Sequence, residues 1–130
     1  MKNNFCNIAV NNIYAKPNIR SEVSTQILYG EKFKILSEKK NWLKIKTDYD
    51  NYTGFIKKRK FLNQFKPLFK IFKPKSRIFI KKKNKISPSR NFLYFASGIS
   101  ALNKNKDYIE FEKNKWIKKK DTKVIDHYEK

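Results

Sequence analysis

An all-β chain of two small β-barrels in tandem is what these 130 residues predict. Three features lead there. No segment sustains an apolar stripe at i, i+3, i+4, so there is no helix to cover a sheet. Short β-rich runs recur instead, punctuated by turn-forming clusters. The order of runs in the first half is also repeated in the second. Short strands without a covering helix bury an apolar face by closing on themselves.

In the first half the runs are "NIAVNNIY", "STQILYG", "EKFKILSE", "NWLKIKT" and "TGFIKK", separated by "KPN", "YG", "KKN" and "DYDN". Alternation assigns the faces. In "NWLKIKT", Leu43 and Ile45 point to the core, whereas Trp42, Lys44 and Lys46 point outward or to a groove edge. Gly54 lies inside a strand, which marks a bulge or a close backbone approach. Gly30, after "QILY", reads as a turn residue with positive φ.

The second half follows with "PLFKIF", "RIFIKKKNKISPS", "NFLYFASGISAL", "DYIEFEKN" and "KWIKKK". Phe55-Ile56-Lys57-Lys58 aligns with Trp116-Ile117-Lys118-Lys119 at an offset of 61, and Leu28-Tyr29 with Leu93-Tyr94 at 65. A repeat of that length is a domain duplication. Pro67 disfavours helix at Lys66, so the expected domains are residues 1–65 and 66–130.

Net charge is +21, which makes nucleic acid, anionic lipid or an anionic polymer a reasonable first partner class. The charge is spread, +8 in residues 1–65 and +13 in residues 66–130, so there is no basic tail on a neutral body. Abundant Lys, Asn and Ile are also what an A+T-rich genome produces without selection by a partner. A solvated basic surface therefore accounts for the lysines.

Cys6 is the only cysteine, which excludes an internal disulfide and a cysteine-based zinc site. A catalytic thiol needs a histidine, and His127 is the only one. Within the alternating run "FCNIAV", Cys6 is expected to be a small buried thiol instead. The residues offer no metal cluster, no Gly-rich phosphate loop and no cofactor motif. Asp48 and Asp50 are read as turn formers of a hairpin loop. No catalytic residue is assigned. The N-terminal residues carry no apolar stretch of signal-peptide length and no run approaches a membrane span, so a cytoplasmic protein with no membrane partner is expected.

The segment from "NIYAKPN" to "TGFIKKRKFL" resembles a bacterial SH3 domain. Pro17, Ser24, Leu28, Gly30, Trp42, Ile45, Gly54, Phe55 and Ile56 occupy the places of that pattern in order, over about the first 65 residues. The second half resembles the same domain through Pro74, Leu93, Ser97-Gly98, Trp116 and Ile117, with Tyr108 in place of the tryptophan and Lys115 in place of the glycine. Two such domains in tandem, with "LYGE" and "DNYTGF" in the first, resemble the front part of NlpC/p60-type cysteine peptidases that cleave cell-wall peptides. A papain-like domain follows in that family, and nothing after Trp116 matches it. His127 precedes any such domain and takes no catalytic role. The chain is then a fragment, or a gene product that has only the targeting half.

The resemblance implies a non-catalytic module for peptidoglycan-derived peptides, normally part of a γ-D-glutamyl-L-diamino-acid endopeptidase. Its first SH3 domain would line the active-site cleft with an aromatic residue, and Tyr52 takes that place. Tyr49, Tyr52 and Trp42 are the candidate substrate-binding residues, expected to line one groove that holds an extended peptide. On that reading Tyr52→Ala weakens peptide handling with little change in melting temperature; the alternative is that Tyr52 only packs at a strand edge. The competing functional class is a small-barrel nucleic-acid binder, with "KKRK", "KKKNK" and "KKK" tracking phosphates and aromatics between them taking bases.

Overall fold

A computed structural model describes residues 3–125; His127 lies outside them. The chain divides into two compact units, Met1–Phe65 and Lys66–Lys130. The strands are β1 (Asn3–Phe5), β2 (Val10–Tyr14), β3 (Val23–Leu28), β4 (Lys32–Lys39), β5 (Trp42–Thr47) and β6 (Thr53–Lys57) in the first unit. The second contains β7 (Phe69–Ile71), β8 (Lys75–Lys82), β9 (Lys85–Tyr94), β10 (Gly98–Ile99), β11 (Asn103–Lys104), β12 (Tyr108–Glu112), β13 (Lys115–Lys118) and β14 (Thr122–Val124). The only helical element among the described residues is a single 3-10 turn at Lys119–Asp121.

The first unit is one antiparallel sheet in the order β1-β4-β5-β6-β2-β3. Its edge strands are chain-continuous with inner ones, β1 with β2 and β3 with β4. At that crossing residues 5–10 run antiparallel to residues 28–32. Tyr29 N–H donates to Ala9 O (3.3 Å), Gly30 N–H to Cys6 O (2.8 Å) and Cys6 N–H to Glu31 O (2.9 Å). Pairing therefore passes without a break from the β2–β3 ladder to the β1–β4 ladder, and the sheet curls into a barrel with little free edge. Gly30 stands at the crossing with φ 81°, a left-handed conformation natural to glycine.

The second unit has the same plan. Its sheets run β10-β7-β14 and β11-β12-β13-β8-β9. With β10 and β11 together in the place of β4, the strand order repeats. The crossing repeats bond for bond: Phe95 N–H to Pro74 O (3.1 Å), Ala96 N–H to Ile71 O (2.9 Å) and Ile71 N–H to Ser97 O (3.0 Å). This matching corrects the alignment expected at 65. Ile27 and Leu93 are the equivalent core residues, each 1% exposed, so the offset there is 66. Ala96, not Gly98, takes the place of Gly30, with φ 76°. At the other end, Leu43 opposite Ile56 matches Ile109 opposite Ile117, so Phe55-Ile56 and Trp116-Ile117 do align at 61.

Alternation fills the two barrels alike. Cys6, Ile13, Ile27, Phe33, Leu43, Ile45 and Ile56 are buried in the first, and Ile71, Ile78, Leu93, Ile99, Ile109, Phe111 and Ile117 stand at the matching positions of the second. All except Cys6, which directly follows β1, are inward residues on strands of period two. Phe61 closes the first core with an edge-on contact to Phe33, ring centroids 5.1 Å apart.

Gly54 shows why the first barrel needs a glycine inside β6. A Cβ there would run into Ile13 Cγ2 and stand 3.1 Å from the backbone oxygen of Tyr14, where β2 crosses β6. Gly54→Ala is expected to destabilise the first unit by about 2 kcal/mol, read as a lower urea midpoint at unchanged slope. Ala96→Gly is expected to act in the opposite direction. Relief of the left-handed alanine should raise the stability of the second unit by about 0.5–1 kcal/mol in the same measurement.

Candidate functional site

The strand pairing decides which aromatic residues meet. In the β5–β6 hairpin Trp42 is opposite Lys57, while Lys46 is opposite Thr53. Trp42 thus stands at one end and Tyr52 beyond the other, about 17 Å along the strands. They also face opposite ways, because Tyr52 has the inward parity of Gly54 and Ile56 and Trp42 has the outward parity of Lys44. The structure therefore does not bring Tyr49, Tyr52 and Trp42 into one groove. Tyr49 and Tyr52 share the loop between the strands; Trp42 belongs to a different place.

That place has its own logic. The Trp42 ring meets Tyr14 edge-on, with centroids 5.5 Å apart at 87°. The second unit repeats the contact at matching positions, Phe79 with Tyr108, 5.4 Å apart at 74°. A contact kept in both barrels serves packing of β2 or β8 against the start of the next hairpin. The signal was available as aromatic residues recurring 65 and 66 positions apart.

The loop at residues 48–52 is held at both ends. Thr47 N–H donates to Tyr52 O (2.8 Å), and Tyr52 N–H donates to Thr47 Oγ1 (2.9 Å). The Thr47 hydroxyl donates in turn to the Asp50 carboxylate. Asn51 takes the left-handed turn conformation at φ 54°, and Asp48 N–H donates to Lys32 O (3.0 Å). Asp48 and Asp50 act here as turn formers. Tyr52 is consequently fixed: its ring lies 3.4 Å from where a Gly54 Cβ would be and packs against the core. Tyr49 is 90% exposed. The loop presents one anchored and one free phenol.

The corresponding turn of the second unit has only residues 113 and 114 between β12 and β13, where the first has five. No counterpart of Tyr49 or Tyr52 exists there. What this loop offers to a ligand belongs to the first barrel alone.

Cys6 is buried, and its thiol donates to Ile8 O at 3.3 Å. Burial pushes its pKa up to about 11, so the thiolate that nucleophilic attack requires is absent near neutrality. Among the described residues no group of three or more His, Cys, Asp and Glu is placed to hold a metal ion.

In the second unit many cations rest on aromatic faces. Lys75 Nζ and Arg77 Cζ lie 4.4 and 4.5 Å from the Phe92 centroid. Lys81 sits over Trp116 (5.7 Å), Lys118 over Phe79 (5.8 Å) and Lys123 over Phe72 (5.0 Å). These faces are where a base would have to stack. In these pairs the ring and the cation satisfy one another.

Glu110 is 7% exposed, although its position on β12 faces away from the core. Its carboxylate accepts from Asn103 Nδ2 (2.7 Å) and Asn114 N–H (2.8 Å). These bonds, with the charge of Lys81, hold its pKa below the usual carboxylate value. A depressed carboxylate pKa contributes stability that is complete above the unfolded value of about 4.5 and is lost as pH falls through the folded value. Wild type should therefore lose thermal stability below about pH 4.5 more steeply than Glu110→Gln, and identical acid limbs would contradict this role.

Residues 13–61 match the family model described as the bacterial dipeptidyl-peptidase SH3 domain. No curated protein matches the chain. Among solved structures, an NlpC/P60 family protein from Bacillus cereus ATCC 10987 shares the fold, with a TM-score of 0.72 at 12% identity. The likeness covers 95% of this chain and 56% of that one, so the chain spans little more than half of its length. No helix among the described residues is long and apolar enough to cross a membrane. The first barrel, with its Gly30 crossing and its Gly54 contact, matches the bacterial SH3 domain model over residues 13–61, and the second repeats its topology in a chain whose fold is similar to that of an NlpC/P60 family protein.

Proposed function

We propose that this chain is the non-catalytic, substrate-positioning part of a γ-D-glutamyl-L-diamino-acid endopeptidase of NlpC/p60 type, and that it handles peptidoglycan-derived peptides. The observation that carries the reading is the loop at residues 48–52. It lies within the residues that match the dipeptidyl-peptidase SH3 model, occurs only in the first barrel, and displays Tyr49 beside an immobilised Tyr52. An anchored aromatic edge is suited to limiting how far a short peptide extends, because its position costs no ordering when the peptide arrives. Hydrolysis is the task of a peptidase domain in the same protein or assembly. Trp42, covered by Tyr14, has no part in this contact.

The basic character supports nucleic-acid binding less well. Phe92, Trp116, Phe79 and Phe72 already carry cations on their rings, which leaves those faces unavailable for stacking.

Titration of the chain with an L-Ala-γ-D-Glu-diamino-acid tripeptide and, separately, with single-stranded DNA at two salt concentrations tests the choice. The tripeptide should bind at both salt concentrations, and Tyr49→Ala should weaken it several-fold at unchanged melting temperature. Tyr52→Ala should weaken binding and also lower the melting temperature, since the half-buried ring packs on the core; the structure here departs from the expectation that stability would be nearly unaffected. DNA binding alone, falling steeply with salt, would overturn the proposal.

A further inference from the structure

The second barrel holds a cleft of about 890 Å³ between the β8–β9 and β12–β13 turns, lined by Lys81, Lys82, Lys83, Lys113, Glu110 and Trp116. Both turns are tight. Lys83 and Asn84 carry the first at φ 47° and 65°, and Asn114 carries the second at φ 65°. The turns are tied to each other by the Lys81 N–H bond to Asn114 O (2.9 Å). Four lysines on short, braced segments therefore line the cleft together with one carboxylate.

That carboxylate is already committed to Asn103 and Asn114, so it stabilises the cleft wall and leaves a local excess of positive charge. Trp116 adds an independent sign. It is 7% exposed, and its indole Nε1–H has no hydrogen-bond partner among the described residues, whereas a buried donor ordinarily finds one. A buried donor beside several lysines suits an oxyanion.

We propose that this cleft is a second peptide subsite, one that takes the carboxylate groups of a short acidic peptide through Lys81, Lys82, Lys83 and Lys113 with the Trp116 indole N–H as a neutral donor. The inference rests on the peptide-handling reading and adds a site to it on the other barrel. The size of the cleft falls in the range of small-ligand pockets. Lys81 covers the indole at 5.7 Å, which leaves no room for a base on that ring face. Charge recognition without stacking thus favours a compact dicarboxylate over a nucleic acid strand.

The chain contains two tryptophans, so nitrogen-proton correlation spectra of the intact chain offer one indole signal for each barrel. Addition of the L-Ala-γ-D-Glu-diamino-acid tripeptide should shift the Trp116 indole signal saturably and leave that of Trp42 in place. The double substitution Lys82→Glu, Lys83→Glu lies on an exposed turn, and it should weaken this response at least tenfold while the remaining spectrum certifies folding. A tripeptide with amidated carboxylates should not produce the response. Movement of residues 48–52 without Trp116 would overturn the second subsite and leave the peptide reading standing. Movement of neither would overturn both. A Trp116 response to inorganic phosphate or oligothymidylate but not to the tripeptide would overturn the assignment to acidic peptides.

Discussion

Each barrel depends on the crossing at which the chain leaves one ladder and joins the next. Residues 5–10 against 28–32, and 69–75 against 94–99, carry the pairing around a corner with three matched backbone bonds each. Without that continuity β1 and β3 would be open edges, and six short strands would expose their apolar faces. The corner requires a left-handed residue. Glycine supplies it in the first unit and alanine in the second, so the constraint outlasts the residue that meets it most easily. Inward side chains, matched position by position in the two units, then follow from a period of two along strands whose register the corner sets.

Much of this is legible in the chain itself. Alternation places Leu43 and Ile45, while Gly54 is marked by its position inside a strand and Gly30 by its position after one. The Phe55–Trp116 equivalence also survives in space. The second corner is harder to see, since a left-handed alanine carries no compositional mark and the Leu-Tyr pair at 28–29 and 93–94 draws the alignment to 65. The separation of Trp42 from Tyr52 is hidden for a different reason: closeness in number says nothing about the two ends of an antiparallel hairpin, and only the pairing of Trp42 with Lys57 shows that the tryptophan is remote from Tyr52. The lysine runs are opaque in a third way. A sequence displays charge but not what the charge rests on, and some of it in the second unit lies over phenyl and indole rings.

The two barrels share a frame and differ in what they hang on it. The first invests its variation in the loop between β5 and β6, the second in the paired turns flanking the cleft. Both variations occur where hairpins turn, away from the corner and the core, which is where added or exchanged residues disturb packing least. A division of labour between duplicates is thereby possible without any change in the barrel itself.

The loop at residues 48–52 illustrates how far this separation extends. Its two ends are bonded to each other through Thr47 and Tyr52, so the intervening residues form a parcel closed by its own neck. Lengthening such a parcel adds only the slowly growing entropy of loop closure. Selection can therefore revise reach and chemistry at this position by insertion, at a rate set by ligand fit and largely decoupled from the survival of the fold.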